Sequence, residues 1–433
     1  METLHYKNSR LKLFFSNPYI RALPNNYLDF GYSVLCQTPI KHVKFFPHSS
    51  RLIIDDKSKQ ITIECFDDVL EHWLERTTPE HNVLDLLKTT VVKWEKSVEG
   101  EIIIPTSGGY DSRLLNFLIS DKSRIRSFTY GISKEQSSSS EVIYAKKISE
   151  ILGTQWNQIK LGNYHNYFDE WDKLFGISTH AHGMYHIEFY REMRQIIQKE
   201  KLPLLSGIIG DAWSGRVKIG MINSYLDVGK LGYTHGLNAD SSFSMFPQNY
   251  SMLKAYFERN QEKLKSPIVR VVEAMRFKMP LLSFILVVPK SEGFQPWSPY
   301  VLPEIALSML TISPERRENR VWQRDFFESN GLLVESMDLH ADRENYLNHQ
   351  AINQVPLKLL DANLLREVVQ PCYVEWINNH WSWFWNLNSL NKLSLFSGFS
   401  NSNIWSRRIK AYGAYLTLKP IENLLRKRNF TTK

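Results

Sequence analysis

The sequence is poor in cysteine and has no long apolar run. Its 433 residues include three cysteines, Cys36, Cys65 and Cys372, none of them in a C-x-x-C pair. This excludes a disulfide framework and a thiolate zinc site, and it predicts a reducing compartment, with the cytoplasm as the default. The longest apolar stretch, LLSFILVV, is less than half of the roughly 20 residues that a spanning helix requires, so no membrane span is expected. The first residues, METLHYKNSRLKLFF, lack the apolar core of a secretory signal.

The charge is basic but mostly dispersed. The formal net charge is +8, and the densest basic stretch is RRIKAYGAYLTLKPIENLLRKRNF near the C-terminus. A surface for nucleic acid or acidic lipid is one interpretation of this stretch. A solvated basic tail is the favoured one, and the excess charge also suits an anionic substrate, so no nucleic-acid partner is expected.

The pattern of predicted strands and helices divides the chain into three regions. Residues 1–76 predict a small β-rich unit, because strand-like segments lie between turn signals, among them LKLFFS, YSVLCQTPI, RLIIDD and QITIECF. Residues 77–340 begin with a helix and then alternate apolar strands with helices, which predicts an α/β domain with a parallel sheet flanked by helices. Residues 341–433 are expected to form a helical, aromatic-rich extension.

The aromatic stretch WINNHWSWFW lies in this extension. Its tryptophans are Trp376, Trp381, Trp383 and Trp385. The favoured interpretation is a helix packed on the domain core, and the alternatives are an interfacial membrane patch or a peptide-binding surface.

The string TSGGYDS follows the first apolar strand of the α/β region. Gly108 and Gly109 permit a tight turn and a close approach of bare N–H groups to a ligand, and the start of the next helix adds its positive dipole end. Ser107 and Ser112 add hydroxyl groups, so the loop is typical of an anion-binding cradle. Asp111 would repel a phosphate unless a cation lay between them, which indicates Mg²⁺.

The same loop lacks the G-K-[ST] ending of a Walker loop, and therefore the lysine that reaches the terminal phosphates. Such a loop suits a site that holds pyrophosphate as a leaving group while the α-phosphate is attacked. An ordinary capped strand-to-helix turn would explain SGG alone. It explains the whole string S-G-G-x-D-S after an apolar strand less well.

SGGYDS resembles the pyrophosphate loop of the PP-loop ATP pyrophosphatases. Further stretches, in the same order, resemble the asparagine synthetase type, alongside β-lactam synthetases and lasso-peptide cyclases. RSFTYG resembles the second strand, EVIYAKKISEILGT the helix E..A...A..LGT, and LLSGIIGDAWSG the second loop S-G-E-G-x-D-E-x-x-x-G. FQPWSPYVLPEIALSML and RRENRVWQRDFFESNGLL resemble the P-F-L-D helix and the arginine-rich helix after it. The resemblance covers roughly residues 100–335.

The resemblance implies an adenylate-forming amide ligase. A carboxylate attacks the α-phosphate of ATP, an acyl-adenylate forms as pyrophosphate leaves, and ammonia or an amine then displaces AMP. Residues that match the family's motifs would take the following roles: Ser107, Gly108, Gly109, Asp111 and Ser112 would hold pyrophosphate, Asp111 and Asp211 would bind Mg²⁺, Phe128, Thr129 and Tyr130 would border the adenine, and Ser206 and Gly207 would lie against the nucleotide.

The N-terminus departs from the family's pattern. Glutamine-using members begin with a nucleophilic cysteine after the initiator methionine, whereas Glu2 follows Met1 here. LKLFFSNPYIRAL and YLDFGYSVLCQTPIKHVKFFPHSSRLIID still resemble the end of the family's glutaminase domain. Residues 1–76 are therefore interpreted as a remnant of a class II glutaminase domain, with ammonia or an amine supplied directly or by a separate amidotransferase.

Two further departures concern catalysis. Ile208 and Ala212 stand where the second loop of the family has its two glutamates, so aspartate is in doubt as the substrate. Aligning LLVES with the family's L-L-P-E-S brings the family's catalytic lysine near Asp342 and Arg343, and Arg343 is the expected stand-in.

Three histidines, His180, His182 and His186, precede the second loop. Their spacing permits a metal site, but no clustered cysteine or carboxylate accompanies them. The favoured interpretation is that one or two of them face the substrate cleft and offer a base in place of the missing glutamate.

The main expectation is therefore a ligase that uses ATP and Mg²⁺ on a small-molecule or peptide carboxylate. One alternative is a peptide macrolactam cyclase of the lasso type. Another is a catalytically inactive nucleotide-binding scaffold, which Ile208 and Ala212 favour and the retention of both Asp111 and Asp211 opposes.

Overall fold

A computed structural model describes residues 3–6, 24–40, 43–55, 61–66, 68–199, 201–234, 236–382 and 402–431. The strands are β1 Thr3–Tyr6, β2 Ser50–Ile54, β3 Ile61–Cys65, β4 Ile102–Pro105, β5 Ile125–Tyr130, β6 Gln155–Ile159, β7 Pro203–Leu205 and β8 Gln295–Trp297. The helices are α1 Pro24–Phe30, α2 Glu80–Ser97, α3 Tyr110–Leu118, α4 Ser140–Leu152, α5 Phe168–Phe175, α6 Tyr185–Ile197, α7 Gly210–Ser214, α8 Ser251–Asn260, α9 Pro267–Leu282, α10 Phe284–Ser291, α11 Pro303–Leu310, α12 Pro314–Arg317, α13 Val321–Ser329, α14 Leu347–Gln354, α15 Ala362–Leu365, α16 Pro371–Ser382 and α17 Ser402–Thr431.

The larger sheet is parallel and has the strand order β6-β5-β4-β7-β8. All three isoleucines of β4 are fully buried, because helices cover both faces of the sheet. Ile103 packs in one core cluster with Phe128 and Leu204, whereas Ile102 and Ile104 pack in the cluster on the opposite face. The predicted fold class, an α/β protein with helices flanking a parallel sheet, is confirmed.

The N-terminal region contains a separate antiparallel sheet with the order β1-β3-β2. RLIIDD and QITIECF contribute the predicted strands β2 and β3. The segment YSVLCQTPI is not a regular strand: it follows α1 and makes isolated bridges such as Gln37 to Lys44. LKLFFS lies outside the described residues, and the domain boundaries after residues 76 and 340 stay predictions.

The described residues of the C-terminal region include the helices α14, α15, α16 and α17. Helix α16 carries the first half of WINNHWSWFW, and Trp381 is 2% exposed in the core with its ring centroid 5.5 Å from that of Tyr415 on α17. The predicted packing of this stretch on the core is thus confirmed for α16, while Trp383 and Trp385 lie outside the described residues.

The favoured interpretation of the basic C-terminal stretch is wrong. It forms the centre of α17 rather than a solvated tail, and Tyr412, Leu416, Leu418 and Ile421 are buried. Basic residues toward its end pair with the buried Glu422, as in the ion pairs from Lys419 and Arg426. Within the described ranges, no helix is both long and apolar enough to cross a bilayer.

Replacing Trp381 with alanine is expected to lower the free energy of unfolding by about 3–5 kcal/mol, because it leaves a large cavity between α16 and α17. Leu359→Ala is the control, since Leu359 is 56% exposed and a surface truncation changes stability by about 0.5 kcal/mol or less. Urea unfolding followed by circular dichroism measures both. Equal effects of the two substitutions would contradict the packing described for α16.

Candidate functional site

The TSGGYDS loop connects β4 to α3 at the carboxyl end of the central strand. The N–H of Ser107 donates to the hydroxyl of Ser112 (3.2 Å), and the N–H of Gly109 donates to the hydroxyl of Ser107 (3.1 Å). Gly109 is the N-cap of α3 and has no side-chain cap bond. The loop therefore presents serine hydroxyls and backbone N–H groups at the positive end of a helix.

Close packing requires glycine at position 108. A Cβ atom there would lie 2.8 Å from the ring of Tyr144 and 3.1 Å from the carbonyl oxygen of Ser140. Both residues belong to α4, so the loop fits against that helix only without a side chain.

The SGIIGD loop follows β7, the neighbour of β4. The N–H of Ser206 donates to the carbonyl of Trp297 on β8 (2.8 Å), and Ile209 adopts a left-handed conformation with φ of 56° before α7 starts. Gly210 lies directly against the Asp111 carboxyl group, because a Cβ atom on it would be 2.7 Å from Cγ. The two predicted loops thus interlock at the ends of adjacent strands.

Asp111 is enclosed at this contact. Its Oδ1 atom is buried and has no hydrogen-bond partner among the described residues. Burial, and then the negative charge of Asp211, raise the pKa of Asp111 to about 7, against a lowering effect of Arg320 and Arg216. A buried acid beside a second acid calls for a cation, and the oxygen donors of Asp111 and Asp211 suit Mg²⁺.

A cleft of about 390 Å³ opens over the two loops. Predicted residues that line it are Ser107, Gly109, Asp111, Ser112, Phe128, Thr129, Tyr130, Ser206 and Gly207. The Phe128 side chain is fully buried in the core. A ligand in the cleft could therefore contact Phe128 only through its backbone on β5. Gly108, Asp211 and Arg343 lie outside this lining.

Arg343 is exposed and lies behind the loop. Its Nη2 atom donates to the hydroxyl of Tyr144 (3.3 Å), the residue whose ring packs against Gly108. The backbone next to it is fixed on the start of α4, where the N–H of Ser140 donates to the carbonyl of Asp342 (2.8 Å). One side chain therefore separates Arg343 from the loop.

The structure adds a second arginine that the sequence does not single out. Arg320 precedes α13, and its Cζ atom lies 4.3 Å from the ring centroid of Tyr110, the first residue of α3. Asn319 and Arg320 both have positive φ, 53° and 60°, which is unfavourable for residues with a Cβ atom. The sequence signal for this position is the arginine-rich helix, to which the resemblance gave no role.

The three histidines lie at different depths beside the cleft. His186 lines it together with Tyr190, whereas His180 and His182 pack together with ring centroids 5.8 Å apart. Burial lowers the pKa of His186 to about 3 and that of His182 to about 4, so both rings are neutral. In the described part of the chain, no cluster of three or more histidine, cysteine or acidic residues could hold a metal ion.

Comparison with known proteins adds little to this geometry. No family model matches the chain, and no curated protein matches it. An ammonia-dependent NAD synthetase from Campylobacter jejuni, solved with a nitrate ion, is 12% identical over 48% of this chain and 96% of that chain, with a TM-score of 0.26. A likeness this weak carries no argument about function.

Asp111→Asn is expected to stabilise the protein in the absence of divalent cations. Because the pKa of Asp111 is raised from 3.8 to about 7 in the folded state, its contribution is most favourable below about pH 4 and is lost as the pH rises through 7. The substitution removes the charge and should raise the melting temperature by about 2–4 °C at pH 8, and by less at pH 5.

Thermal unfolding in the presence of EDTA measures this effect. Asp325→Asn is the control, because Arg316 lowers the pKa of Asp325 and the same substitution there gives no gain. A lower melting temperature for Asp111→Asn at pH 8 would contradict the raised pKa of Asp111 and the unfavourable burial of its Oδ1 atom.

Proposed function

We propose that this protein is an ATP-dependent, adenylate-forming amide ligase of the asparagine synthetase type. The observation that carries the proposal is the contact between the two loops, which places the carboxyl group of Asp111, with its Oδ1 atom unpartnered among the described residues, against Gly210 and beside Asp211. A cradle of N–H groups and hydroxyls next to paired acids suits pyrophosphate bound together with a cation.

ATP is proposed to lie across the loop with its adenine at the end of β5. Ser107, Gly109 and Ser112 would then donate to the β- and γ-phosphates, while the backbone of Phe128, Thr129 and Tyr130 borders the base. Bound at Asp111 and Asp211, Mg²⁺ would neutralise negative charge as pyrophosphate leaves. The N–H groups of Ser107 and Gly109 now donate to serine hydroxyls of the same loop, so the phosphate oxygens would take the place of these short-range acceptors without movement of the backbone.

Two arginines supply the positive charge that a Walker lysine would provide. Arg320 lies over Tyr110 and acts electrostatically on Asp111, and we assign it to the terminal phosphates. Arg343 lies behind Gly108, and we assign it the charge that the family's lysine contributes to adenylation. A guanidinium group suits phosphate oxygens because it donates from two nitrogens at once.

The acid to be activated is proposed to differ from aspartate. Ile208 and Ala212, at the positions of the family's glutamates, are 6% and 1% exposed, so apolar side chains pack where the family presents carboxylates. His186 lines the same cleft, but burial lowers its pKa to about 3, so it is too weak a base to replace a glutamate and we assign it no proton transfer. A small-molecule carboxylate fits the cleft volume, and ammonia or an amine, free or from a separate amidotransferase, completes the reaction.

Exchange of labelled pyrophosphate into ATP, measured with Mg²⁺ and a panel of carboxylic acids, tests the proposal. At least one acid is expected to support exchange, and Asp111→Ala should reduce its rate at least about 100-fold, because the cation loses a ligand. Asp169→Ala, on the exposed face of α5, should leave it unchanged. Binding of ATP without exchange on any acid would favour an inactive scaffold.

Arg320→Ala is expected to raise the KM for ATP about 10-fold, since one charge-assisted contact to phosphate is lost, with a smaller change in kcat. Arg324→Ala is the matched control, because Arg324 lies on α13, the helix that Arg320 precedes, but pairs with Asp325 at 3.2 Å. Steady-state kinetics on the acid found above measure both. The same KM for both variants would remove Arg320 from the phosphate site.

A further inference from the structure

Arg113 follows the SGGYDS string and is fully buried, with 0% of its side chain exposed. Its Nη1 atom donates to the carbonyl of Leu332 (2.9 Å) and to Oε2 of Glu335 (2.8 Å). Its Nη2 atom donates to Oε1 of Glu335 (2.6 Å) and to the carbonyl of Gly108 (2.7 Å). The guanidinium group thus joins the loop to a carboxylate on a distant segment through a bidentate ion pair.

The bond to Gly108 fixes the orientation of one peptide unit in the loop. In a trans peptide the carbonyl and the following N–H point in opposite directions. Because the carbonyl of Gly108 points at Arg113, the N–H of Gly109 points away from it, toward the hydroxyl of Ser107 at the exposed side of the loop. Rotation of this peptide would instead turn a carbonyl oxygen toward a bound anion.

Two adjacent glycines permit this peptide to rotate unless another contact restrains it. Gly108 and Gly109 have no side chains to restrict the backbone, so the conformation that exposes the N–H groups needs an external restraint. Arg113 provides it from beneath the loop, where its Cζ atom also lies 4.9 Å from the ring centroid of Tyr110 and 5.0 Å from that of Phe327. The restraint is rigid because the guanidinium group is buried and planar.

The same ion pair reaches the segment that carries Arg343. Glu335 lies in a short turn, Val334–Ser336, and a few residues later the N–H of Asp342 donates to the carbonyl of Ser138 (2.8 Å) at the start of α4. Helix α4 in turn supplies the Tyr144 ring that packs on Gly108. The loop, residues 332–343 and α4 therefore form a closed set of contacts.

We infer that Arg113 and Glu335 are positioning residues, which hold the Gly108 carbonyl away from the anion site and keep the N–H of Gly109 on the side of the loop where pyrophosphate would bind. The inference rests on the proposed function, because it assumes that the loop binds pyrophosphate. Neither residue touches the ligand. They act by excluding a loop conformation that would repel it.

The test compares the affinity of the full chain for two ligands, Mg²⁺-pyrophosphate and adenosine, by isothermal titration calorimetry. Arg113→Lys keeps the charge but cannot make the paired bonds to Gly108 and Glu335, so it should weaken pyrophosphate binding about 10-fold or more. Adenosine, which does not use the loop, should bind within about twofold of the unaltered chain. Glu335→Gln keeps the Gly108 bond and should weaken pyrophosphate binding about threefold, and it tests the inference if Arg113→Lys does not fold.

Arg276→Lys is the control for the loss of a bidentate arginine–carboxylate pair. Arg276 makes a bidentate pair with Asp68 at 2.8 Å, remote from the loop, so its substitution should lower stability without changing pyrophosphate affinity. Unchanged pyrophosphate affinity in Arg113→Lys, or parallel loss of both ligands, would overturn the inference while leaving the proposed function intact. If the unaltered chain binds neither pyrophosphate nor ATP, the proposed function fails and the inference fails with it.

Discussion

The candidate site depends on the pairing of β4 with β7. These strands meet in parallel register at Ile103 and Leu204, so their carboxyl ends lie side by side and the loops after them are forced into contact. Gly210 then has room only for a hydrogen where it touches Asp111. The proximity of Asp111 to Asp211 and to the guanidinium groups of Arg320 and Arg216 follows from that adjacency.

Several features of the site are energetically unfavourable. A contact that served only to pack the fold would avoid them. Asp111 lies beside a like charge, and its buried Oδ1 atom is unpartnered among the described residues. Ile209, next to Gly210, and Arg320, over the ring of Tyr110, adopt left-handed backbone conformations. Each such feature costs free energy and persists only where the surrounding packing imposes it. Residues such as Leu35, Cys36 and Ser49 also adopt positive φ elsewhere in the chain, so the acid beside a like charge, rather than the backbone strain, is the feature that favours a binding site for a charged ligand.

Short-range signals made the sheet and both loops predictable from sequence. An apolar strand followed by glycines, serines and an acid specifies its own turn, and Ser107, Gly109, Asp111 and Ser112 line one cleft as expected. β8 was not predictable, because a three-residue strand containing a proline has too little pattern to read. The basic stretch in α17 was interpreted as a solvated tail for a related reason. Charged residues near both ends of the stretch hide the pattern of the buried apolar residues between them.

Long-range partners are beyond the reach of a single sequence. Arg113 and Glu335 are 222 positions apart, and nothing local distinguishes a buried arginine from an exposed one. Yet Arg113, held by Glu335, binds the Gly108 carbonyl and so contributes to the orientation of the peptide on which the proposed anion cradle depends. The string SGGYDS therefore specifies the chemical groups of the loop, while the orientation of the Gly108 peptide depends on a carboxylate 222 positions away from Arg113. The proposed anion site would for this reason require the folded chain.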